Sequence, residues 1–406
     1  MPTIHPLKII RPDFEYAAQV SARISGTETQ DELTRILEDN PFSYLHVVKP
    51  YLHFADPEHP EKHFGFGRNY FRQLLDQKVL IEQEKPVLLV YRQSDLAQNK
   101  SFEGIIAGVS IQDYLSGAVK RHEHTRTQKQ LRLVKHMEVI HAVGEPVLLC
   151  YEEHHDALDF DALKGELFCD FVCESQLRHQ LWNIPSDKVE MVQDFFASCA
   201  ALYIADGHHR IAATTRYLQE YAEHNDTREE ELTFMSLILR SDQVLIKPFH
   251  RLIHWPVIHD VDAFLHSLNA YFTIVKHNTF VKPKHRGSFG LCINGSEWFH
   301  LTLKEEYRPQ VVPESLDVAC LEKLIFGEIL GINDSKTDER LVFARGDLDS
   351  SALQLLIDQH QANLAFTLYP NCFDEIKAVA DFDGVMPPKS TWIEPKLRTG
   401  MVIQLF

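Results

Sequence analysis

Hydrophobic and polar positions along the chain switch repeatedly between helical spacing and short apolar runs. Apolar residues three or four apart, bounded by capping residues, Gly or Pro, predict helices. The predicted helices cover residues 29–39, 71–80, 125–142, 261–268, 316–330, 352–361 and 374–380. Runs rich in Val, Ile, Leu and aromatic residues predict strands. The predicted strands cover residues 44–48, 87–91, 104–111, 146–151, 201–205, 234–239, 244–246, 272–275, 289–293, 298–303, 341–344 and 365–369.

This mixture, with no repeat of solenoid period, predicts a mixed α and β fold of the α+β class. A polar turn between strands 87–91 and 104–111 predicts an antiparallel pair. The helical pattern pauses at His254-Trp255-Pro256. We therefore place one domain over residues 1–254 and a smaller C-terminal α+β domain over residues 255–406.

Composition excludes several classes of protein. The chain of 406 residues has 41 Lys and Arg against 58 Asp and Glu, a formal net charge of −17. A field of that sign repels nucleic acid and anionic membranes, so the expected partner is a small-molecule substrate, with homo-oligomers left open. The start carries no secretory signal, and seven scattered cysteines favour free thiols in a reducing cytoplasm.

The strongest candidate for chemistry is a strand, a glycine turn and a helix in succession. Residues 201–205 form the apolar strand, Gly207 permits a turn that bulkier residues avoid, and helical spacing begins at His208. Such a turn directs free backbone N–H groups and the positive end of the helix dipole at one point. The segment therefore predicts an anion-binding site.

The side chains in this turn strengthen that expectation. Asp206 is placed to cap the helix, while His208, His209 and Arg210 put cations in its first turn, where they are unfavourable without an anion. Arg210 can hold a phosphate through two parallel hydrogen bonds. The alternatives are an ordinary capped helix with solvated basic side chains, or a metal site through Asp206 and the histidines.

A second cluster, residues 120–126, precedes the helix at 125–142. Glu123 is a candidate general base or Mg²⁺ ligand, and Arg121 is a candidate anion contact. His122 and His124 lie on one face if the segment is extended, and could bind a metal. The alternative is a solvated charged loop.

A third cluster lies near the C-terminus, at residues 387–396. Lys389, Ser390, Thr391 and Lys396 resemble a phosphate-contacting loop in composition, although no P-loop glycine spacing precedes them. The alternative is a proline-stiffened tail.

Five stretches in order resemble the bacterial domain-of-unknown-function family numbered 1015. They are Asn40-Pro-Phe-Ser-Tyr-Leu-His-Val47, Arg121-His-Glu-His-Thr125, Tyr203-Ile-Ala-Asp-Gly-His-His-Arg210, Pro248-Phe-His-Arg251 and Met386-Pro-Pro-Lys-Ser-Thr391. The resemblance runs nearly end to end. One departure is visible, because members usually carry a Pro-Pro-Tyr-Asp-like stretch where this chain has Ser21-Ala-Arg-Ile-Ser25.

The Asp-Gly-His-His-Arg motif also resembles the phosphate-binding box of the ParB/sulfiredoxin-like superfamily. The resemblance implies a ParB/sulfiredoxin-like mixed-sheet domain with insertions, and a nucleotide phosphate near His208. Sulfiredoxin chemistry needs a cysteine where His208 stands, and a ParB-like DNA clamp fits poorly with a charge of −17. Free-serine kinases are the best match.

The resemblance therefore implies a phosphotransferase that uses ATP or ADP with Mg²⁺ on a small hydroxyl compound such as free L-serine. His208, His209 and Arg210 would hold phosphate, with Asp206 or Glu123 as base or metal ligand. Further anion contacts are expected from Arg121, Arg251, Lys389 and Lys396. The alternatives are a nucleotide-binding regulatory protein without turnover, and a metal-dependent hydrolase built on His122, His124, Asp206 and His208.

Overall fold

The computed structural model describes residues 1–406 apart from residues 24–27, 55–59, 126, 153–157, 225–231 and 256–259. The chain forms two compact units. Unit 1 consists of residues 1–120, 124–244 and 395–406, and unit 2 of residues 121–123 and 245–394. Both units mix helices and strands, which confirms the mixed α and β class.

Unit 1 opens with thirteen strands and nine α-helices among its described residues. The strands are β1 (Ile4–His5), β2 (Ile9–Pro12), β3 (Ala22–Arg23), β4 (Leu80–Glu82), β5 (Leu89–Asp95), β6 (Lys100–Ser110), β7 (Val119–Lys120), β8 (Ala142–Val143), β9 (Val147–Tyr151), β10 (Leu167–Val172), β11 (Leu177–Asn183), β12 (Leu202–Asp206) and β13 (Thr233–Arg240). The helices are α1 (Ala17–Val20), α2 (Gln30–Asp39), α3 (Leu45–Val48), α4 (Phe64–Asp76), α5 (Ile111–Leu115), α6 (Thr127–Ile140), α7 (Phe160–Leu163), α8 (Val189–Ser198) and α9 (His208–His224).

Unit 2 is built around a six-stranded antiparallel sheet in the order β16-β18-β17-β20-β15-β19. Its strands are β14 (Leu245–Lys247), β15 (Phe249–Ile253), β16 (Phe272–His277), β17 (Ser288–Ile293), β18 (Glu297–Leu303), β19 (Leu341–Arg345), β20 (Leu364–Leu368) and β21 (Trp392–Glu394). Its helices are α10 (Val261–Leu268), α11 (Asp317–Cys320), α12 (Ser350–Gln359) and α13 (Phe373–Asp381).

The chain ends in unit 1 with β22 (Arg398–Thr399) and β23 (Ile403–Leu405). β23 lies between β2 and β8 in a four-stranded sheet, and β22 pairs with β3. The Gln404 side chain accepts a hydrogen bond from Met235 N at 2.7 Å and donates to Thr233 O at 2.8 Å. These contacts attach the C-terminus to unit 1. Residues 395–406 are therefore grouped with unit 1, whereas the sequence pattern places them in the C-terminal domain.

The main sheet of unit 1 is mixed. Its strand order is β10-β11-β5-β6-β13-β9-β12-β7, and β1 also pairs with β6. β13 runs parallel to β9, and β12 parallel to β7, while the other pairs are antiparallel. The antiparallel pairing expected for β5 and β6 is confirmed. Leu149, Ile204 and Ile238 of the sheet belong to one buried apolar cluster with Met137 of α6 and Ile211 of α9.

Two local predictions were wrong. Residues 44–48, expected as a strand, form α3, because an apolar run this short looks the same in a buried helix. In the folded chain, His46 Nε2 of this helix lies 3.0 Å from Asn40 O. The long helix expected at 316–330 is α11 followed by a wider π-helical segment, Leu321–Gly327.

Other features agree with the sequence. Thr29 and Glu32 form the capping box at the start of α2, and α10 covers the predicted residues. All seven cysteines are free, and five of them are buried. Among the described residues, no helix combines the length and apolar character needed to cross a membrane. Residues 24 and 25 of the stretch that departs from the family pattern lie outside the described residues.

Candidate anion-binding site

The predicted strand, glycine turn and helix are present in unit 1. β12 is buried up to Ala205, and α9 begins at His208. Gly207 has a φ of +105°, a conformation that side chains with a Cβ rarely adopt. A Cβ added there would lie 3.2 Å from the Arg210 guanidinium. The turn therefore requires glycine for its backbone and for the close approach of Arg210.

Arg210 is held by carboxylates of the chain itself. Its Nη2 lies 2.6 Å from Asp206 Oδ2, and its Nη1 lies 2.8 Å from Glu145 Oε1 and also donates to Pro146 O. Asp206 Oδ1 accepts from Lys396 Nζ at 3.1 Å. The positive charge at the start of α9 is thus compensated within unit 1. The sequence predicts an external anion in this role.

The two carboxylates of this network differ in acidity. Burial would raise the pKa of Asp206, but the charges of Lys396 and Arg210 outweigh it and hold that pKa well below its ordinary value. Burial raises the pKa of Glu145, Asp206 raises it further, and Arg210 opposes both. A carboxylate with a raised pKa is the better proton acceptor at neutral pH.

A cavity of about 370 Å³ opens beside this network. Its lining includes the guanidinium of Arg210 and three further cationic side chains, those of Lys49, Lys129 and Arg132. Glu145 is the one carboxylate among the described lining residues. The apolar part of the wall comes from Val48, Phe64, Leu133, Met137, Ala142 and Val143.

Three of the cations differ from Arg210 in having no partner among the described residues. Within the described part of the chain, the side chains of Lys49, Lys129 and Arg132 form no hydrogen bond or ion pair. Burial lowers the pKa of Lys49, which Glu28 and Glu145 oppose from a distance. An unpaired, partly desolvated ammonium gains from any anion that enters the cavity.

The cavity wall on α6 follows helical spacing. Lys129, Arg132 and His136 recur every three or four residues, next to Leu133 and Met137 on the same face. Burial lowers the pKa of His136, and its Nε2 lies 3.1 Å from Val47 O, as expected for a neutral ring that donates to a carbonyl.

Four residues of the site, Glu145, Lys49, Lys129 and Arg132, are not among those that the sequence predicts. For α6 a signal existed, because basic residues at helical spacing border the apolar stripe. Glu145 and Lys49 stand beside prolines in short connections. No local pattern marks such residues as neighbours.

The other predicted site residues, Arg121, Glu123, Lys389, Ser390 and Thr391, belong to unit 2. There the two predicted clusters come together, since Met386 N donates to His122 O at 2.9 Å. Ser390 is buried, and its hydroxyl donates to Pro387 O at 2.6 Å. That bond fixes the loop from within.

Arg251 joins this part of unit 2. Its side chain is fully buried, and it donates to Phe249 O at 2.9 Å and to Pro388 O at 3.2 Å. Lys389 Nζ lies 5.1 Å from the Phe249 ring centroid. Three of the stretches that carry the family resemblance therefore meet in unit 2, where Arg251 holds the loop backbone.

The described residues contain no group of three or more His, Cys, Asp or Glu side chains placed to hold a metal ion. His122, His124, Asp206 and His208 all lie among these residues. The metal-dependent hydrolase alternative stays a prediction.

Comparison with known families decides the classification. The model of a family described as protein of unknown function (DUF1015) matches residues 4–319. The chain belongs to this family. The family resemblance is confirmed, and the match covers four of the five stretches, since Met386–Thr391 lies beyond it. The further likeness to the ParB-type phosphate box stays a prediction. No curated protein matches the sequence.

Solved structures resemble the fold only distantly. A variant of a free serine kinase in complex with AMP is 13% identical, with a TM-score of 0.39 over 74% of this chain and 91% of that chain. A free serine kinase variant with ADP is 12% identical, with a TM-score of 0.38 and the same coverage. C-terminally truncated SbnI from Staphylococcus aureus is 11% identical, with a TM-score of 0.38 over 71% of this chain and 82% of that chain.

Proposed function

We propose that the chain is a nucleotide-dependent phosphotransferase that acts on a small hydroxyl compound, with free L-serine as the first candidate. The nucleotide phosphates, from ATP or ADP, bind in the cavity of unit 1. The observation that carries the proposal is the gathering of Lys49, Lys129 and Arg132 without partners around one cavity of an acidic chain.

Size and polarity support a ligand with a charged end and an apolar body. Pockets for small molecules are usually about 300–1,000 Å³, with mostly apolar walls and a few placed polar groups. The cavity of about 370 Å³ lies at the lower end of that range. Phosphate oxygens fit the three unpaired cations, and Phe64, Leu133 and Met137 offer an apolar wall to the rest of the ligand.

Phosphoryl transfer asks a protein mainly for positioning and for neutralisation of charge. In this proposal Lys49, Lys129 and Arg132 neutralise the phosphates. Glu145 accepts the proton of the attacking hydroxyl while the oxygen bonds to the terminal phosphorus and the bond to the leaving nucleotide breaks. Arg210 orients Glu145 through their 2.8 Å ion pair.

For Asp206 we propose a role other than the base or metal ligand that the sequence predicts. Both of its oxygens are engaged by Arg210 and Lys396, and its pKa is held low, so it fits neither a general base nor a Mg²⁺ ligand. It positions Arg210 instead. A Mg²⁺ ion would then depend on the phosphates themselves, and the role of Glu123, which belongs to unit 2, stays a prediction. His208 and His209 remain candidates for phosphate contacts from the first turn of α9.

The test is a thermal-shift and turnover measurement on the full chain. ATP, ADP and CTP are titrated with and without Mg²⁺, and phosphate transfer is followed to serine and a panel of small hydroxyl compounds. A ligand at a hundredfold excess over Kd adds about 2.7 kcal/mol, which shifts Tm by several degrees. Arg132→Gln should weaken nucleotide binding at least tenfold.

A matched control is Arg72→Gln on α4, which removes the same charge from an exposed position outside the cavity lining. It should bind nucleotide like the wild type. Equal weakening by both variants would mean that overall charge, and not the cavity, attracts the ligand. No phosphorylated product from ATP or ADP across the panel would refute the kinase.

A second candidate is a nucleotide-binding protein without turnover. The observation that favours it is the complete engagement of Arg210 by Asp206, Glu145 and Pro146 O, which leaves its guanidinium committed to the chain. It predicts the same thermal shift and the same loss in Arg132→Gln, with no product. Glu145→Gln gives a further test. If the chain is a kinase, this variant should form product more slowly while it still binds nucleotide, whereas a protein without turnover has no rate that could fall.

A further inference from the structure

A second group of cations in unit 1 lies outside the cavity lining. β3 pairs antiparallel with β22, and the register places Arg23 directly opposite Arg398. Like charges directly opposite each other on paired strands are destabilising. Within the described residues, neither guanidinium forms an ion pair with a carboxylate. The pair therefore carries a repulsion that unit 1 does not relieve by a direct contact.

Arg398 is fixed by its surroundings. Its Nε donates to Ser21 O at 3.1 Å and its Nη2 donates to the same oxygen at 2.6 Å. Its Cζ lies 5.9 Å from the Phe171 ring centroid. Burial lowers the pKa of Arg398, Cys173, Tyr91 and Glu174 oppose this, and Arg23 makes the smallest contribution, which lowers the pKa.

A buried histidine stands beside the two arginines. His179 is 1% exposed, and its ring stacks on Phe171 with centroids 5.1 Å apart. Its Nδ1 lies 2.8 Å from the Tyr91 hydroxyl. Burial lowers the pKa of His179 to about 3, and the charges of Arg398 and Arg23 contribute, so the ring is neutral at pH 7.

Two polar atoms of this group are buried without a hydrogen-bond partner among the described residues, namely His179 Nε2 and Arg23 Nε. Buried polar atoms nearly always have a partner in the protein or in a bound molecule. Of the two atoms, Arg23 Nε is a donor in every state, and an unpartnered cationic donor opposite a like charge indicates a ligand of opposite charge.

We propose that Arg23 and Arg398 form an anion-binding site, separate from the cavity, for the phosphate or carboxylate group of a small ligand. The planar guanidinium fork of Arg23 matches both groups, while Arg398, whose Nε and Nη2 donate to Ser21 O, contributes its charge. Both arginines are half-buried, so a ligand reaches them from solvent and still binds in a partly desolvated place. An anion bound by both arginines attracts each of them and so offsets the repulsion between them.

The test measures Tm of the full chain in a phosphate-free buffer of low salt, during titration with inorganic phosphate or with acetate. Arg23→Gln should raise Tm by about 1–2 °C in the absence of anion, because the repulsion is gone. Phosphate should raise Tm of the wild type by roughly 2–4 °C, and that of Arg23→Gln by clearly less. Arg72→Gln should respond like the wild type.

Lys129→Gln, in the cavity, keeps the two proposals apart. In a Lys129→Gln background, adding Arg23→Gln should still reduce the rise in Tm that phosphate causes. This holds whether or not the chain is a kinase. A response to phosphate alone assigns the site to phosphate, and an equal response to acetate assigns it to carboxylates. Two results would overturn the proposal. One is a lower Tm of Arg23→Gln than of the wild type in anion-free buffer, and the other is a rise in Tm of Arg23→Gln with phosphate and with acetate that equals that of the wild type.

A milder variant covers the case in which Arg23→Gln does not fold. Arg23→Lys keeps the charge but loses the planar fork, so phosphate should bind at least fivefold more weakly by calorimetry. Unchanged affinity in Arg23→Lys would also overturn the site.

Discussion

The start of α9 and the inner face of α6 both bring positive charge to the cavity of unit 1, but they do so differently. Arg210 at the start of α9 is paired with Asp206 and Glu145, whereas Lys129 and Arg132 on α6 have no partner in the described chain. The difference shows that a cluster of basic residues in a sequence does not reveal which cations the fold pairs with carboxylates. Pairing within the fold decides whether a cation stabilises the protein or attracts a ligand.

The largest expected effect concerns the turn that positions Arg210. Gly207→Ala should lower the free energy of unfolding by about 3 kcal/mol, because the new Cβ combines backbone strain with contact against the guanidinium. Gly117→Ala is a matched control, with φ of +83° and no atom within 4 Å of the added Cβ. This control should lower the free energy of unfolding, measured with urea, by only about 1–2 kcal/mol. Equal losses would show that Arg210 does not need the space.

The next effect tests the ion pairs themselves. Asp206→Asn should lower the free energy of unfolding by about 2 kcal/mol, since Arg210 and Lys396 lose their shared carboxylate. The value is below that for a fully buried pair because Asp206 is 37% exposed and water screens it. Glu220→Gln, in an exposed pair on the same helix, should change it by less than about 0.5 kcal/mol. A loss in Asp206→Asn no larger than in this control would contradict the paired role.

Acid should remove the same stabilisation. The pKa of Asp206 is lowered by folding, so its contribution is complete above the ordinary value of 3.8 and is lost as pH falls towards the folded pKa. The gap in stability between the wild type and Asp206→Asn should therefore stay constant from pH 7 to about pH 5 and narrow below about pH 4. Urea unfolding of both proteins over this range checks it. A gap that widens in acid would show that Asp206 is not the ion-paired carboxylate.

The smallest effect has the opposite sign. Lys49→Met should raise the free energy of unfolding of the ligand-free chain by about 0.5 kcal/mol, because an unpaired ammonium with a lowered pKa is removed from a partly buried place. The same variant should lose nucleotide affinity. A loss of stability without ligand would mean that Lys49 has a partner in the fold and belongs with Arg210, not with the α6 face.

Local pattern was sufficient for much of the fold. The capping box of Thr29 and Glu32, the bounds of α10 and the strand–Gly207–helix turn are all determined by residues close in sequence. Residues 44–48 were assigned to a strand because their apolar run does not distinguish a strand from a buried helix. The bond from His46 to Asn40 depends on the path of the chain and not on that run.

The candidate site was only half predictable. The sequence places Asp206 and Arg210 in one turn, at a spacing of four residues, and that pair exists. It does not show that Glu145 and Lys396 complete the network, because they lie 65 and 186 residues from Arg210 in the chain. Their proximity depends on the sheet that holds β9 beside β12 and on the return of the C-terminal strands.

By itself, the sequence determined the family, the mixed α and β class, the acidic net charge and the glycine turn before α9, because each is a property of composition or of neighbouring residues. Tertiary structure decided which cations are neutralised and which are not. Electrostatic pairing acts over a few ångströms in space, and only the folded chain brings Asp206 and Glu145 to Arg210 while leaving Lys129, Arg132 and the facing pair Arg23 and Arg398 without a carboxylate.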